Sequence, residues 1–440
     1  MTSLRSRLLH GVLAGATALG LVTTAATAAS AAPEPPIPTS PSGAYNPEAT
    51  SPQRLGGVQT KWRDQSPAED SCATVKQRAI AASKQRHASQ GLVSCTRFNA
   101  PRTRATVGLG FDPGNDPMPN NCNEIGSKIV GRFADCQVGL IELELWTIPT
   151  KPGEVPKLVG VGFIGVGSMT RTGWIAPGIS RIVKLQLQEG SWGRALTGIK
   201  VSADIKCLGN ASKCALDDVS KTYVQELTLG KGLYGYANFH STPTASNDPN
   251  TALWHYMRTT VTVTHSATDL STKGDSFYHD SESIRCDKRL PGSDPSKADQ
   301  GGCVFADLTP FYSLSKTTGT AQTVAQHIER AQTSTKNHWG KYTGNPAIDK
   351  PLTRLMDTTL INKNRYEACK TAPSPRPTGK ECDEYPFAAT HQGAALQGKG
   401  DFSWELVKDT DNSAEGGYRS WWFDNSRIIE TDAFWVDIVP

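Results

Sequence analysis

The chain is 440 residues long, with 37% hydrophobic residues, 20% charged residues and a formal net charge of +4. That length is more than one hydrophobic core usually serves, so two folded units are expected. The composition excludes a disordered chain, and so small a net charge excludes reading a polyanionic partner from total charge alone.

In chain order, residues 1–31 read as a targeting segment. Arg5 and Arg7 precede an apolar run from Leu8 to Val22, and the small residues Ala29-Ser30-Ala31 suit signal-peptide cleavage after Ala31. The run is shorter than the roughly 20 apolar residues of a membrane span. The mature chain is therefore expected to be secreted and extracellular. Residues 32–60, with Pro33, Pro35, Pro36, Pro38 and Pro41, have linker composition.

Ten cysteines follow, and an even count in an oxidising compartment favours disulfides over thiol chemistry or metal. They fall as neighbours along the chain, so the economical pairing is sequential: Cys72–Cys95, Cys122–Cys136, Cys207–Cys214, Cys286–Cys303 and Cys369–Cys382. No CxxC spacing is present.

Residues 61–275 are expected to form an all-β, sandwich-like domain of unassigned role, after one short helix near Val75 to Gln90. Ile141 to Leu145 and Val183 to Gln188 alternate apolar and polar residues as half-buried strands do, and Val261 to Thr264 is rich in β-branched residues. Gly160-Val161-Gly162-Phe163-Ile164-Gly165 matches a dinucleotide-loop pattern literally. No helix pattern follows it, so these read as strand glycines. The histidines at 240, 255, 265 and 279 lack zinc spacing.

Residues 276–440 are expected to form a small α+β domain stapled by two disulfides. Val304 to Leu314 reads as a strand. Ala321, Val324, Ala325, Ile328 and Ala331 share one face of a helix. A second helix is expected over Leu352, Leu355, Met356 and Thr359, with Pro351 in its first turn. Short strands then run to Phe434–Val439. Charge is sorted here: residues 316–380 hold eleven Lys or Arg against four Asp or Glu, and residues 381–440 hold four against twelve. Such sorting suits a protein that clamps a polyanion with one surface and holds a divalent cation with another.

The run Cys382-Asp383-Glu384-Tyr385-Pro386-Phe387-Ala388 closely resembles the D-E-[YW]-P motif of the NucA/NucB family of secreted bacterial deoxyribonucleases. Gly393 sits where that family has a Gly-rich turn. Asp411-Asn412-Ser413-Ala414-Glu415-Gly416 resembles its D-N-R-x-x-G motif, with Ser413 in place of the usual Arg. Asn364-Arg365-Tyr366-Glu367 falls where the family has a basic helical segment.

The resemblance implies a ββα-metal type of site, a DNA substrate cut with little sequence preference, and Mg²⁺ or Mn²⁺ as cofactor. It makes Asp383 the general base, since a carboxylate can take the proton of an attacking water. Glu384 points to the opposite face of the strand and is expected to be structural. Asn412 and Glu415, three apart on a helix, are the candidate metal ligands. His391 is a candidate acid or phosphate contact. Arg354, Lys363 and Arg365 are candidate phosphate clamps. Two further possibilities are a DNA- or surface-binding protein with an inactive nuclease-like domain, for which Ser413 speaks, and a nuclease toxin. A monomer is expected. No G-x-S-x-G context surrounds Ser403, Ser413 or Ser420, which argues against a serine hydrolase.

Overall fold

The structure is a computed structural model and describes residues 75–85, 91–98, 128–151, 153–173, 176–220, 224–244, 251–267, 275–288 and 301–440. The expected leader, the Pro-rich linker, Cys72 and Cys122 lie outside these residues. Helix α1 (Val75–Gln85) leads into β1 (Leu92–Phe98), β2 (Lys128–Val130), β3 (Ala134–Thr147), β4 (Leu158–Thr172), β5 (Gly178–Leu187) and β6 (Trp192–Gly193). Then come β7 (Ile199–Gly209), β8 (Cys214–Ser220), β9 (Gln225–Glu226), β10 (Gly232–Ser241) and β11 (Leu253–His265). Strands β12 (Asp275–Asp280), β13 (Ile284–Asp287) and β14 (Gly302–Phe305) complete the β-rich region.

These strands make two sheets. One runs β1-β3-β4-β5-β10-β8, with β2 on β3 and β6 on β4, and the other runs β14-β13-β11-β7-β9, with β12 on β11. Alternation along the strands explains the layering: Val201, Val261, Val263 and Phe277 from one sheet share a core with Ile141, Leu143, Val183 and Leu185 from the other. The strands expected at 141–145 and 261–264 are present, and the one expected at 183–188 is present through Leu187. The glycine pattern lies within β4, as expected. A Cβ on Gly160 would lie 2.7 Å from the backbone nitrogen of Ala195, so the adjacent turn needs glycine there.

Strands β12 to β14 belong to the sheet of β11, so backbone pairing carries the β-rich region through Phe305, past the boundary expected near 276. Cys286 and Cys303 face each other in that pairing and are bonded, as are Cys207–Cys214 and Cys369–Cys382. Cys95 and Cys136 are also disulfide-bonded.

One buried histidine makes the β-rich region acid-sensitive. His279 is 2% exposed, with Nδ1 2.9 Å from Arg181 Nη2 and 3.3 Å from Ser168 Oγ. Burial, and then the charge of Arg181, hold its pKa well below the ordinary 6.5. Folded His279 is therefore neutral, and unfolding in acid takes up a proton. Its contribution to stability is complete above about pH 6.5 and is lost as pH falls below that value. The thermal midpoint should drop between about pH 7.5 and about pH 5.5, and His279→Gln should flatten that slope. Equal slopes in the two proteins would refute the assignment.

The C-terminal region contains β15 (Phe311–Ser315), α2 (Gln322–Ser334), β16 (Leu352–Thr353), α3 (Thr358–Cys369), β17 (Lys380–Tyr385), β18 (Ser403–Lys408), α4 (Asp409–Asn425) and β19 (Ala433–Val439). Strands β15, β19 and β16 form one small sheet, and β17 and β18 form a hairpin. Val324, Ala325, Ile328 and Ala331 of α2 pack with Tyr312, Tyr385, Val407, Trp422 and Phe434, so this helix lies in the core between hairpin, sheet and α4.

Two expectations are corrected. The strand expected over 304–314 is two strands, because Pro310 and the turn before it break the pairing. The helix expected from Leu352 begins instead at Thr358. Asp357 caps it, accepting from the backbone N–H groups of Thr359 at 2.8 Å and Leu360 at 3.1 Å. Leu352 and Leu355 are buried from an extended segment, so their helical spacing was coincidental.

Candidate active site

The hairpin and the helix after it carry half of the expected site, Asp383, Glu384, Asn412 and Glu415. Strand β17 ends at Tyr385 because Pro386 has no N–H for the ladder. Strand β18 returns beside it with Asp383 opposite Glu405 and Tyr385 opposite Ser403. The chain passes from Lys408 directly into α4, whose first turn holds Asp409 and Asp411, well placed for the positive end of the helix dipole. Asp411 also caps α2, accepting from the N–H of Thr323 at 2.9 Å and its hydroxyl at 2.8 Å.

Asp383 is 4% exposed, and its Oδ2 lies 2.5 Å from Nδ1 of His327 on α2. With Nδ1–H donating to the carboxylate, Nε2 accepts from the Ser403 hydroxyl at 3.0 Å. Among the described residues, nothing donates to the other Asp383 oxygen. The Ser403–His327–Asp383 connectivity is that of a nucleophile–base–orienter relay. His327 is fully buried, and half-buried Ser403 begins β18 at the end of the hairpin ladder, so the relay fixes the orientation of the Asp383 carboxylate.

Glu384 is partly exposed on the opposite face. Burial, and next the charge of Asp383, push its pKa up to about 7, against the opposing pull of Arg419 and Arg365. Glu415 of α4 is 2% exposed, and burial raises its pKa although Arg419 opposes the shift. Arg419 reaches both of its oxygens, at 2.8 and 3.2 Å, and Tyr312 donates to one at 3.0 Å. Arg419 also lies 4.2 Å over the ring of Phe387. Glu415 thus anchors the half-buried Arg419 guanidinium, whose charge reaches Glu384.

The other expected residues are placed unequally. Arg354 stacks 4.1 Å over Phe423 and donates only from Nη1, to Ala389 O at 3.3 Å. Its buried Nε has no partner among the described residues. Burial, and then repulsion from Arg419, lower its pKa to about 10. Arg365 is exposed on α3, with one bond to Asn362 at 3.4 Å, and its charge reaches Glu384. Lys363 is exposed on the same helix. His391 is paired with Glu430 at 2.7 Å, and its N–H donates to Thr353 O. Asn412 donates to Glu381 at 3.0 Å, and nothing described donates to its Oδ1.

These donors bear on a divalent cation. Asn412 offers a free hard oxygen of the kind Mg²⁺ or Mn²⁺ takes alongside water, whereas both Glu415 oxygens are engaged. The one cluster of three close ligand atoms among the described residues is Cys207, Cys214 and His255, and its two cysteines are joined to each other.

Helix α3 supports the loop after β17. Asn364 is fully buried and donates to Ala388 O at 2.9 Å and Thr390 O at 3.1 Å, while accepting from Ala395 N at 3.0 Å. Gly393 lies against it so closely that a Cβ would be 2.2 Å from Asn364 Nδ2. Cys369–Cys382 ties the end of α3 to the residue before Asp383.

Residues 348–437 match the family described as Deoxyribonuclease NucA/NucB. Searches of curated proteins and of solved structures gave no significant match. The matched segment contains every expected site residue of the C-terminal region and omits His327 and Tyr312. Sequence reasoning also missed both. The available signal was a histidine on the apolar face of α2, between Val324 and Ile328.

Proposed function

We propose, from the premise that residues 348–437 are a NucA/NucB-type deoxyribonuclease segment, that the protein is a secreted, metal-dependent endonuclease that hydrolyses DNA with little sequence preference. The observation that carries this reading is the under-bonded guanidinium of Arg354 in the same region as Asp383 and Glu384: buried donors without partners fit an oxyanion such as a phosphate. Contacts to phosphate fix position and carry no base information, hence the weak specificity. The leader-like N-terminus and the disulfides support an extracellular setting.

On this reading Asp383 takes the proton of the attacking water at the oxygen that His327 leaves free. His327 fixes the orientation of the carboxylate and shares its charge. Glu384, on the opposite face of β17 from Asp383, keeps a structural role beside Arg419 and Arg365, and the leaving 3′ oxygen takes its proton from water. Arg354 and Arg365 hold the phosphate, and Arg419, fixed by Glu415, adds positive charge beside the carboxyl pair. Asn412 would hold the Mg²⁺ or Mn²⁺, which when bound supplies charge to the phosphate and the leaving oxygen. The succession β17–β18–α4 supports reading the site as of the ββα-metal type.

Plasmid digestion by the oxidised mature protein tests this. Cleavage is expected with Mg²⁺ or Mn²⁺ and lost with EDTA. Arg354→Ala should raise KM for DNA about tenfold, the value of one charge-assisted contact. Cleavage that is indifferent to EDTA would remove the metal from the reading. Binding without cleavage under any metal would favour a catalytically inactive DNA-binding protein, the reading that Ser413 supports.

A further inference from the structure

The β-rich region meets the catalytic region at the turn 427–432. Two residues of that turn, Arg427 at φ 47° and Thr431 at φ 67°, are left-handed without being glycine. For a β-branched residue this is an outlier, and it persists only where the surroundings over-determine it.

The surroundings come from the β-rich region. Arg132, between β2 and β3, donates to Ser426 O at 2.9 Å, Arg427 O at 3.0 Å and Asp432 Oδ2 at 2.9 Å. Arg285 on β13 donates to Asp432 Oδ1 at 2.5 Å and Arg427 O at 2.9 Å. Asp287, on the same strand, accepts from the Arg427 side chain. Arg132, Arg285, Asp287 and Arg427 are all buried, and removing one partner from a buried charge is strongly destabilising. The described residues of both regions belong to one compact unit.

The far side of the turn holds the backbone of Arg354. Its N–H donates to Asp432 O at 2.9 Å, and its carbonyl accepts from Thr431 N at 2.8 Å. We propose that the β-rich region is a fixed scaffold of the catalytic region, with Arg132 and Arg285 as positioning residues that hold Arg354 through the strained 427–432 turn. The proposal rests on the reading of Arg354 as a phosphate contact. It gives the β-rich region a role other than carrier, because a catalytic region released from it would leave Asp432 and Arg427 without the charges that neutralise them.

The test uses the full chain with Arg285→Lys, which keeps the charge and loses the fork, and Arg285→Met. Amide hydrogen exchange and cleavage kinetics are the readouts. Exchange should accelerate at residues 353–356 and 427–432. KM for DNA should rise about tenfold at unchanged kcat, as for loss of one charge-assisted contact. Combination with Arg354→Ala should add no further rise. Unchanged exchange in those segments, or a fully additive double variant, overturns the proposal. Should Arg285→Met fail to fold, Arg285→Lys carries both readouts. A wild type that does not cleave DNA would defeat the functional reading, while exchange would still decide the scaffold.

Discussion

Asp383→Asn is expected to lower kcat for plasmid cleavage by about 10³-fold, the middle of the range for losing a general base. Asn keeps the shape and still accepts the His327 proton, but it cannot take a proton from water. KM should change little, because the proposed phosphate contacts come from Arg354 and Arg365. Cleavage at wild-type rate in this variant would move the base elsewhere.

The companion Glu384→Gln separates the two carboxyls. Because the folded pKa of Glu384, about 7, lies above the ordinary 4.5, its contribution to stability is complete below about pH 4.5 and is lost as pH rises through about 7. Above neutrality the wild type carries an ionised, poorly solvated Glu384 beside Asp383. Glu384→Gln should therefore raise the thermal midpoint at about pH 8 and leave it nearly unchanged at about pH 5. A midpoint that shifts equally at the two pH values would refute the assignment.

Breaking Cys369–Cys382 is expected to have the second largest effect. The two cysteines are 13 residues apart, and closing a loop of that size is worth about 3 kcal/mol in the chain-entropy model. Both are buried among Ala368, Ala372 and Ala394. Serine at both positions should lower the thermal midpoint by several degrees and reduce kcat, since the bond fixes the residue before Asp383. Removing Cys207–Cys214, which joins β7 to β8 far from the hairpin in sequence, should leave cleavage intact. Equal loss of activity from the two removals would show that the Cys369–Cys382 bond matters only for overall folding.

The sandwich strands were legible because period-two alternation of residue type is a local signal, even over 183–187 of β5, where both faces are buried. Asp383, Glu384 and Asn412 were legible because a short motif carries them. Leu352 and Leu355 misled because their spacing fits a helix while Asp357, the actual cap, comes later. His327 was hidden for a different reason. It lies 56 residues before its partner, and only a folded α2 brings the two together. The clamp of Arg132 on Asp432 spans 300 residues, and nothing in the local pattern around either residue distinguishes them from solvated charges.

The contact between Asn364 and Gly393 constrains how this sequence can drift. No side chain can enter position 393 while an asparagine fills position 364, and no shorter residue at 364 can satisfy the three backbone groups that Asn364 now serves. Either single step passes through a damaged intermediate, so the two positions should be inherited as a pair. A lineage that lost the glycine would be expected to have rebuilt the whole loop from Ala388 to Ala395.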